Sequence, residues 1–293
     1  MTITLARVAT EFLERPGIAS LTLKSYELTL LSLLKEYGRW PIDLMSRQML
    51  EGYINRRTDL SLSTRHHHRT IIQALFNFAV EKDYLNSNPL PRFKQSPMAQ
   101  KSSAARFFTS EQMTMLYQLV APDLRMHALI SLLHRSGATV AEILALNLID
   151  IDRVNRKFQV LGRGNRQRWC FYNADTAASL ERYITSERSS DCSALFTVEQ
   201  YFSKKVSRLT YRTVHKYWKD LIEHDAVLKN MRISDLRNTF TNERVKLVTA
   251  EEINMLLGTR SIRKEFIGED DVYKKAEYIA QASFLVLEPK DIL

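Results

Sequence analysis

Apolar residues recur at helical spacing through most of this chain. Between Thr22 and Gly38 they fall at Leu23, Tyr26, Leu30, Leu31, Leu34 and Tyr37, a single stripe on a 3.6-residue helix. Gly38 is a natural stop. A second helix is predicted from Ser46 to Arg57. A third runs from Ser63 to about Asp83, with Ile71, Ile72, Leu75, Phe78 and Ala79 facing inward and Ser61 or Ser63 as cap. It ends before Asn86-Ser87-Asn88-Pro89, because proline disfavours helical backbone at the residue before it. Residues 1–88 therefore read as a helical module, and Pro89, Pro91 and Pro97 break up residues 89–107 into a linker. A second domain, 108–293, opens at Thr109-Ser110-Glu111-Gln112, a helix start with Thr109 or Ser110 as cap. Helices follow from Asp123 to Arg135 and from Val140 to Leu146, with a turn at Gly137 between them. Lys157–Val160 and Gln167–Tyr172 alternate as strands, joined by Gly162-Arg163-Gly164-Asn165 as a hairpin. From Asp175 onward the pattern is again mostly helical, with no internal repeat. The expected class is mainly α with a small β-sheet, α+β.

Charge changes the picture. The chain has 293 residues, 42 basic against 33 acidic, a formal net charge of +9. That favours a polyanionic partner, DNA or RNA first. A membrane is disfavoured, because no apolar run approaches the ~20 residues a spanning helix needs. The start Met1-Thr2-Ile3-Thr4-Leu5 lacks a basic region and a long apolar core, so no signal peptide is expected. Cys170 and Cys192 lack metal-type spacing and read as free thiols of a cytoplasmic protein. From Tyr84 to Ser110 there is no acidic residue, yet Arg92, Lys94, Lys101 and Arg106 lie there. A basic, extended strap between two lobes suits closure around a duplex. His66-His67-His68 invites a metal reading, but adjacent helical residues point about 100° apart and cannot converge on one ion. With Arg65 and Arg69 they suit a helix face near DNA, or a solvated surface. No metal and no cofactor is expected.

Four ordered motifs carry the candidate chemistry. They are Ser136-Gly137-Ala138-Thr139-Val140-Ala141-Glu142 closed by Asp150-Ile151-Asp152, the hairpin Gly162 to Arg168, Ser234-Asp235-Leu236-Arg237-Asn238-Thr239-Phe240, and Leu256-Leu257-Gly258-Thr259-Arg260-Ser261-Ile262. Together they resemble the tyrosine recombinases, the phage-integrase family, across nearly the whole chain. The resemblance implies a helical, SAM-like core-binding domain followed by a catalytic-type domain. In that family a tyrosine hydroxyl attacks the scissile DNA phosphate and forms a phosphotyrosyl intermediate. Two arginines hold the non-bridging oxygens, a hairpin lysine protonates the leaving oxygen, and histidines tune protons.

Position by position, most of that equipment is replaced. The first arginine position holds Thr139, too short for a guanidinium's reach; losing one such donor typically costs ~10²–10³ in rate. The lysine position holds Arg163, a poor general acid with a pKa above ~12. Ser234 and Asn238 flank the second arginine, and Thr259 stands at the last histidine position. Arg237 alone keeps its full role. The family's nucleophile offset falls on Gly268, so the nearest candidates are Tyr273 and Tyr278, which read equally as packing aromatics of the last helix. Glu269, Asp270 and Asp271 precede them and would repel a phosphate unless they face away.

Further DNA contacts are expected from Arg166 and Arg168 with Arg163 on the hairpin, and from Arg212 and Lys216 in Thr210-Tyr211-Arg212-Thr213-Val214-His215-Lys216-Tyr217-Trp218. Lys204, Lys205 and Arg208 extend that surface. His127 and His134, on an apolar helix without matching carboxylates, read as core or surface residues. The tail Ala280–Leu293, with Phe284 to Leu287, suits docking on its own body or on a neighbour, hence a homo-oligomer or an assembly with another recombinase. The sequence thus points to a duplex-DNA-binding protein of recombination or integration of a mobile element, with cleavage impaired and an accessory or regulatory role. The alternatives are an active divergent site-specific recombinase, and a replication or transcription regulator on the same scaffold.

Overall fold

The computed structural model describes residues 3–90, 106–162, 166–200, 203–259 and 269–281. The chain divides into two compact units, Met1–Gln100 and Lys101–Leu293. As the α+β expectation has it, the fold is mainly helical with two small antiparallel sheets among the described residues.

The first unit holds α1 (Leu5–Leu13), α2 (Ser20–Tyr37), α3 (Arg47–Arg56) and α4 (Leu62–Glu81). Sequence reasoning missed α1, only nine residues long. It is nonetheless capped by the Thr4 hydroxyl and buries Leu5, Val8, Ala9 and Phe12, one helical face. Of the two serines offered for α4, Ser61 caps it, accepting from the Thr64 N–H at 3.1 Å. Ser46 does the same for α3. The stripe predicted for α2 needs one correction. Leu31 is 53% exposed, and Leu30 and Leu33 take the inward places. They pack with Phe12, Ile72, Leu75 and Phe76 in a common core.

The second unit begins with α5 (Ser110–Val120), closed by a capping box between Thr109 and Gln112. Next comes α6 (Leu124–Ser136), capped by Asp123 and buried at every residue from Met126 to Ser136. Then follow α7 (Val140–Ala145), β1 (Ile151–Asp152), β2 (Lys157–Leu161), β3 (Gln167–Phe171) and α8 (Ala174–Ser186). The strands form one antiparallel sheet in the order β1-β2-β3, with Phe158 opposite Cys170 and Val160 opposite Arg168. Sequence reasoning found β2 and β3 but not the two-residue β1. It also missed the ribbon of β4 (Thr197–Glu199) and β5 (Val206–Arg208), too short to show an alternation. The rest is helical: α9 (Tyr211–Ile222), α10 (Asp235–Arg244), α11 (Ala250–Leu257) and α12 (Glu269–Gln281). The core gathers Leu129, Leu132, Ile143, Phe158, Leu180 and Leu236, so that α6 is wrapped by its neighbours.

Candidate functional site

Three chain segments meet around one carboxylate. Gly137 ends α6 in the left-handed region, φ +64°. Only glycine fits there: a Cβ would lie 2.7 Å from the Phe240 ring of α10. The chain turns straight into α7, whose N-cap is Thr139 and whose third residue is Glu142. Glu142 Oε2 accepts from the Thr139 N–H at 2.7 Å and from the Thr139 hydroxyl at 2.9 Å. The Thr139 hydroxyl in turn accepts from the Glu142 N–H.

Arg168 grips the same carboxylate with both terminal nitrogens, Nη1 to Oε1 at 2.6 Å and Nη2 to Oε2 at 2.8 Å. Its Nε donates to the Leu256 carbonyl at 2.8 Å. Arg237 donates through Nη1 to the Gly137 carbonyl and through Nη2 to the Leu257 carbonyl. Its Nη1 lies 3.9 Å from Glu142 Oε2, an ion pair beyond hydrogen-bond reach. Both guanidiniums thus cap the last carbonyls of α11, where the helix dipole favours cations. Gly258 makes the fit possible. It sits at φ +64°, and a Cβ there would press on Arg168 at 3.3 Å.

Electrostatics follow from this crowding. Burial works to raise the Glu142 pKa, but hydrogen bonds from Arg168 and Thr139 overcome it and leave Glu142 below its ordinary value. Burial works to lower Arg168, and the bond to Glu142 outweighs it, so Arg168 ends raised. Arg237 is lowered, first by burial and then by repulsion from Arg168. Two guanidiniums face one carboxylate whose Oε2 already accepts three bonds. One positive charge is left over, on the half-buried Arg237.

The structure thereby joins Thr139 and Arg237, predicted from motifs about a hundred residues apart. Arg168, expected on the DNA side of the hairpin, is 3% exposed here, with its donors engaged by Glu142 and Leu256. The pleat is the reason: Arg168 pairs with Val160 and shares the inward face with Phe158 and Cys170. Arg208 is half-buried and bonded to the carbonyls of Leu144 and Leu146. Asn238 donates to the Arg106 carbonyl at 2.8 Å, and Arg106 reaches the Asn230 carbonyl and pairs with Asp235. Ser234 is exposed at the start of α10, and the Thr259 hydroxyl donates to Asn254 Oδ1 at 2.8 Å.

Tyr273 packs half-buried against Phe171 at 6.1 Å, within electrostatic reach of Arg168, while Tyr278 is 74% exposed. Asp271 is exposed beside Lys274. Arg166, Arg212 and Lys216 are exposed and make no ion pair or side-chain hydrogen bond among the described residues. In the first unit Arg65 is half-buried, and Arg69 pairs with Glu51 at 3.4 Å. His67 bonds the Ser25 hydroxyl at 3.1 Å. No metal-binding group of three occurs among the described residues, nor does any helix there reach the length and apolarity to cross a membrane. Arg92, Lys94, Lys101, Arg163 and the nucleophile offset at Gly268 lie outside the described residues.

His134 was expected to lack a carboxylate, and that is corrected. Its Nε2 lies 2.7 Å from Glu243 Oε1, and its Nδ1 lies 2.9 Å from the Tyr117 hydroxyl. Burial lowers the His134 pKa, so the ring is neutral. It donates from Nε2 to the ionised glutamate and accepts the tyrosine proton at Nδ1. The partner could not be read in advance, because Glu243 lies 109 residues away on α10.

In the second unit the turn at Gly137, strand β3, the start of α10 and the end of α11 thus converge on one carboxylate and the two guanidiniums that face it. The phage integrase family model matches residues 106–264, and the chain belongs to that family. It is 23% identical over 246 residues to a tyrosine recombinase XerC of Myxococcus xanthus, covering 78% of this chain and 79% of that one. Its fold is similar to a Tn1549 transposon integrase in complex with transposon right end DNA, with TM-score 0.74, 16% identity and 96% of both chains covered. It is also similar to a lambda integrase tetramer bound to a Holliday junction, with TM-score 0.64, 16% identity and 89% and 77% covered.

Proposed function

We propose that this chain binds duplex DNA in recombination or integration of a mobile element, and that its site grips a phosphate without cutting the strand. One observation carries the reading. Arg237 is held by two carbonyls and shares with Arg168 a carboxylate that Thr139 and Arg168 already hydrogen-bond, which leaves two guanidiniums to one negative charge. A phosphate is the natural complement of such a fork. The positions that would move protons hold Ser234, Asn238 and Thr259, and two of these three are engaged with neutral protein groups. Thr139 has become a helix cap rather than a second clamp. Arg166, Arg212 and Lys216, exposed and unpaired among the described residues, supply contacts to further phosphates. Relatives named as recombinases and neighbours solved with DNA support the same partner.

A second reading, an active divergent recombinase, is favoured by Tyr273, which packs half-buried on Phe171 within electrostatic reach of Arg168 rather than out in solvent as Tyr278 does. The binding half of the proposal is tested by fluorescence anisotropy with a labelled duplex across a salt series. The logarithm of affinity should fall linearly with the logarithm of salt. Arg212→Ala and Lys216→Ala should each reduce that slope by about 1. Duplex binding that is absent at low ionic strength, or indifferent to salt, overturns it.

A further inference from the structure

Behind the site, α6 and α10 share a cluster of buried charge that the phosphate grip does not use. Arg135 and Arg244 are both more than nine-tenths buried. Among the described residues the carboxylate they share is Glu243, whose Oε2 lies 3.7 Å from Arg135 Nη1 and 3.5 Å from Arg244 Nη1. Both distances exceed a good hydrogen bond, and Glu243 Oε2 has no hydrogen-bond partner among the described residues. Glu243 Oε1 is taken by the neutral His134. Arg244 donates to the carbonyls of Phe240 and Arg135, each at 3.3 Å. The Arg135 side chain makes no hydrogen bond at all among the described residues; Glu243 is its ion-pair partner. The cluster therefore sets two buried guanidiniums, one of them stacked on the Phe240 ring, against a single carboxylate, a net positive charge.

Arg135 and Arg244 line a small void together with Trp169, Phe171, Phe240 and Ala276 of α12. Its free volume is ≈ 10 Å³, room for one group of about water size. We infer that this void is a binding site for a single halide-sized anion, held by Arg135 and Arg244. Such an ion supplies the missing negative charge and fills the space beneath α12. Its binding therefore stabilises the seating of the helix that carries Tyr273. The inference is independent of whether the protein binds or cuts DNA.

The test uses the full chain without DNA. Thermal unfolding is followed in sodium chloride and in sodium gluconate, whose anion is too large for the void, at equal ionic strength. At chloride tenfold above its dissociation constant, linkage predicts a midpoint higher by about 3–6 °C. Arg135→Gln should abolish the difference between the two salts. Should that variant fail to fold, crystals of the wild-type chain grown in bromide decide the matter, with an anomalous peak expected in the void. Equal midpoints in both salts, a water in the void of bromide crystals, or a bromide peak without any anion-dependent stability would each overturn the proposal.

Discussion

Glu142→Gln is the sharpest perturbation of the site's architecture. Glutamine keeps the shape of the side chain, so little packing is lost, but it removes the charge opposite Arg168. The Arg168 side chain is 4% exposed and that of Glu142 11%. Removing one partner of a buried pair leaves an uncompensated charge, which costs about 3–5 kcal/mol. For a unit of this size each kcal/mol moves the midpoint by about 2–4 °C, so the fall should be on the order of 6–20 °C. An internal control exists in the pair Arg153–Glu181, about half exposed on both sides. Glu181→Gln should cost no more than about 1 kcal/mol. Adding Arg168→Met to Glu142→Gln removes the stranded cation and should recover much of the loss. The pH dependence has a definite sign. Glu142 is held below its ordinary value, so its contribution is complete above about pH 4.3 and is lost as pH falls through its lower folded value. The assay is calorimetric or circular-dichroism melting across pH. If Glu142→Gln costs no more than Glu181→Gln, the carboxylate is not the keystone described here.

Gly137→Ala should destabilise by at least about 1–3 kcal/mol, because it sets a Cβ against the Phe240 ring at a left-handed φ. Chemical denaturation measures it, and a change within about 0.5 kcal/mol would show that the turn yields freely. His127 is pushed down to about 4 by burial first and then by Arg182. Its neutral form belongs to the fold, so stability is complete above about pH 6.5 and declines as pH falls toward 4. His127→Phe should flatten that part of the profile, and an unchanged slope would rule His127 out as its source.

The sequence disclosed the site's frame better than its wiring. Local rules narrowed the caps to Thr109 or Ser110 and to Ser61 or Ser63, and were enough for the turn at Gly137 and the hairpin strands, since each depends on neighbours within a few residues. The convergence of Thr139 with Arg237 was legible through motif resemblance. The fate of Arg168 was not. A basic residue on a hairpin suggests solvent, and only the register opposite Val160 and the carboxylate 26 residues earlier bring it inside. The pairing of His134 with Glu243 needed the packing of α6 on α10, which no local pattern encodes. The short α1 and the ribbon β4–β5 fell below the length at which periodicity speaks.

A nicked suicide duplex separates gripping from cutting directly. Such a substrate traps any tyrosine–phosphate linkage, because the freed strand end diffuses away. At low salt the protein should shift the duplex on a native gel yet leave no DNA-linked protein on a denaturing one. A covalent band that vanishes in Tyr273→Phe would contradict the account and establish strand cleavage in its place.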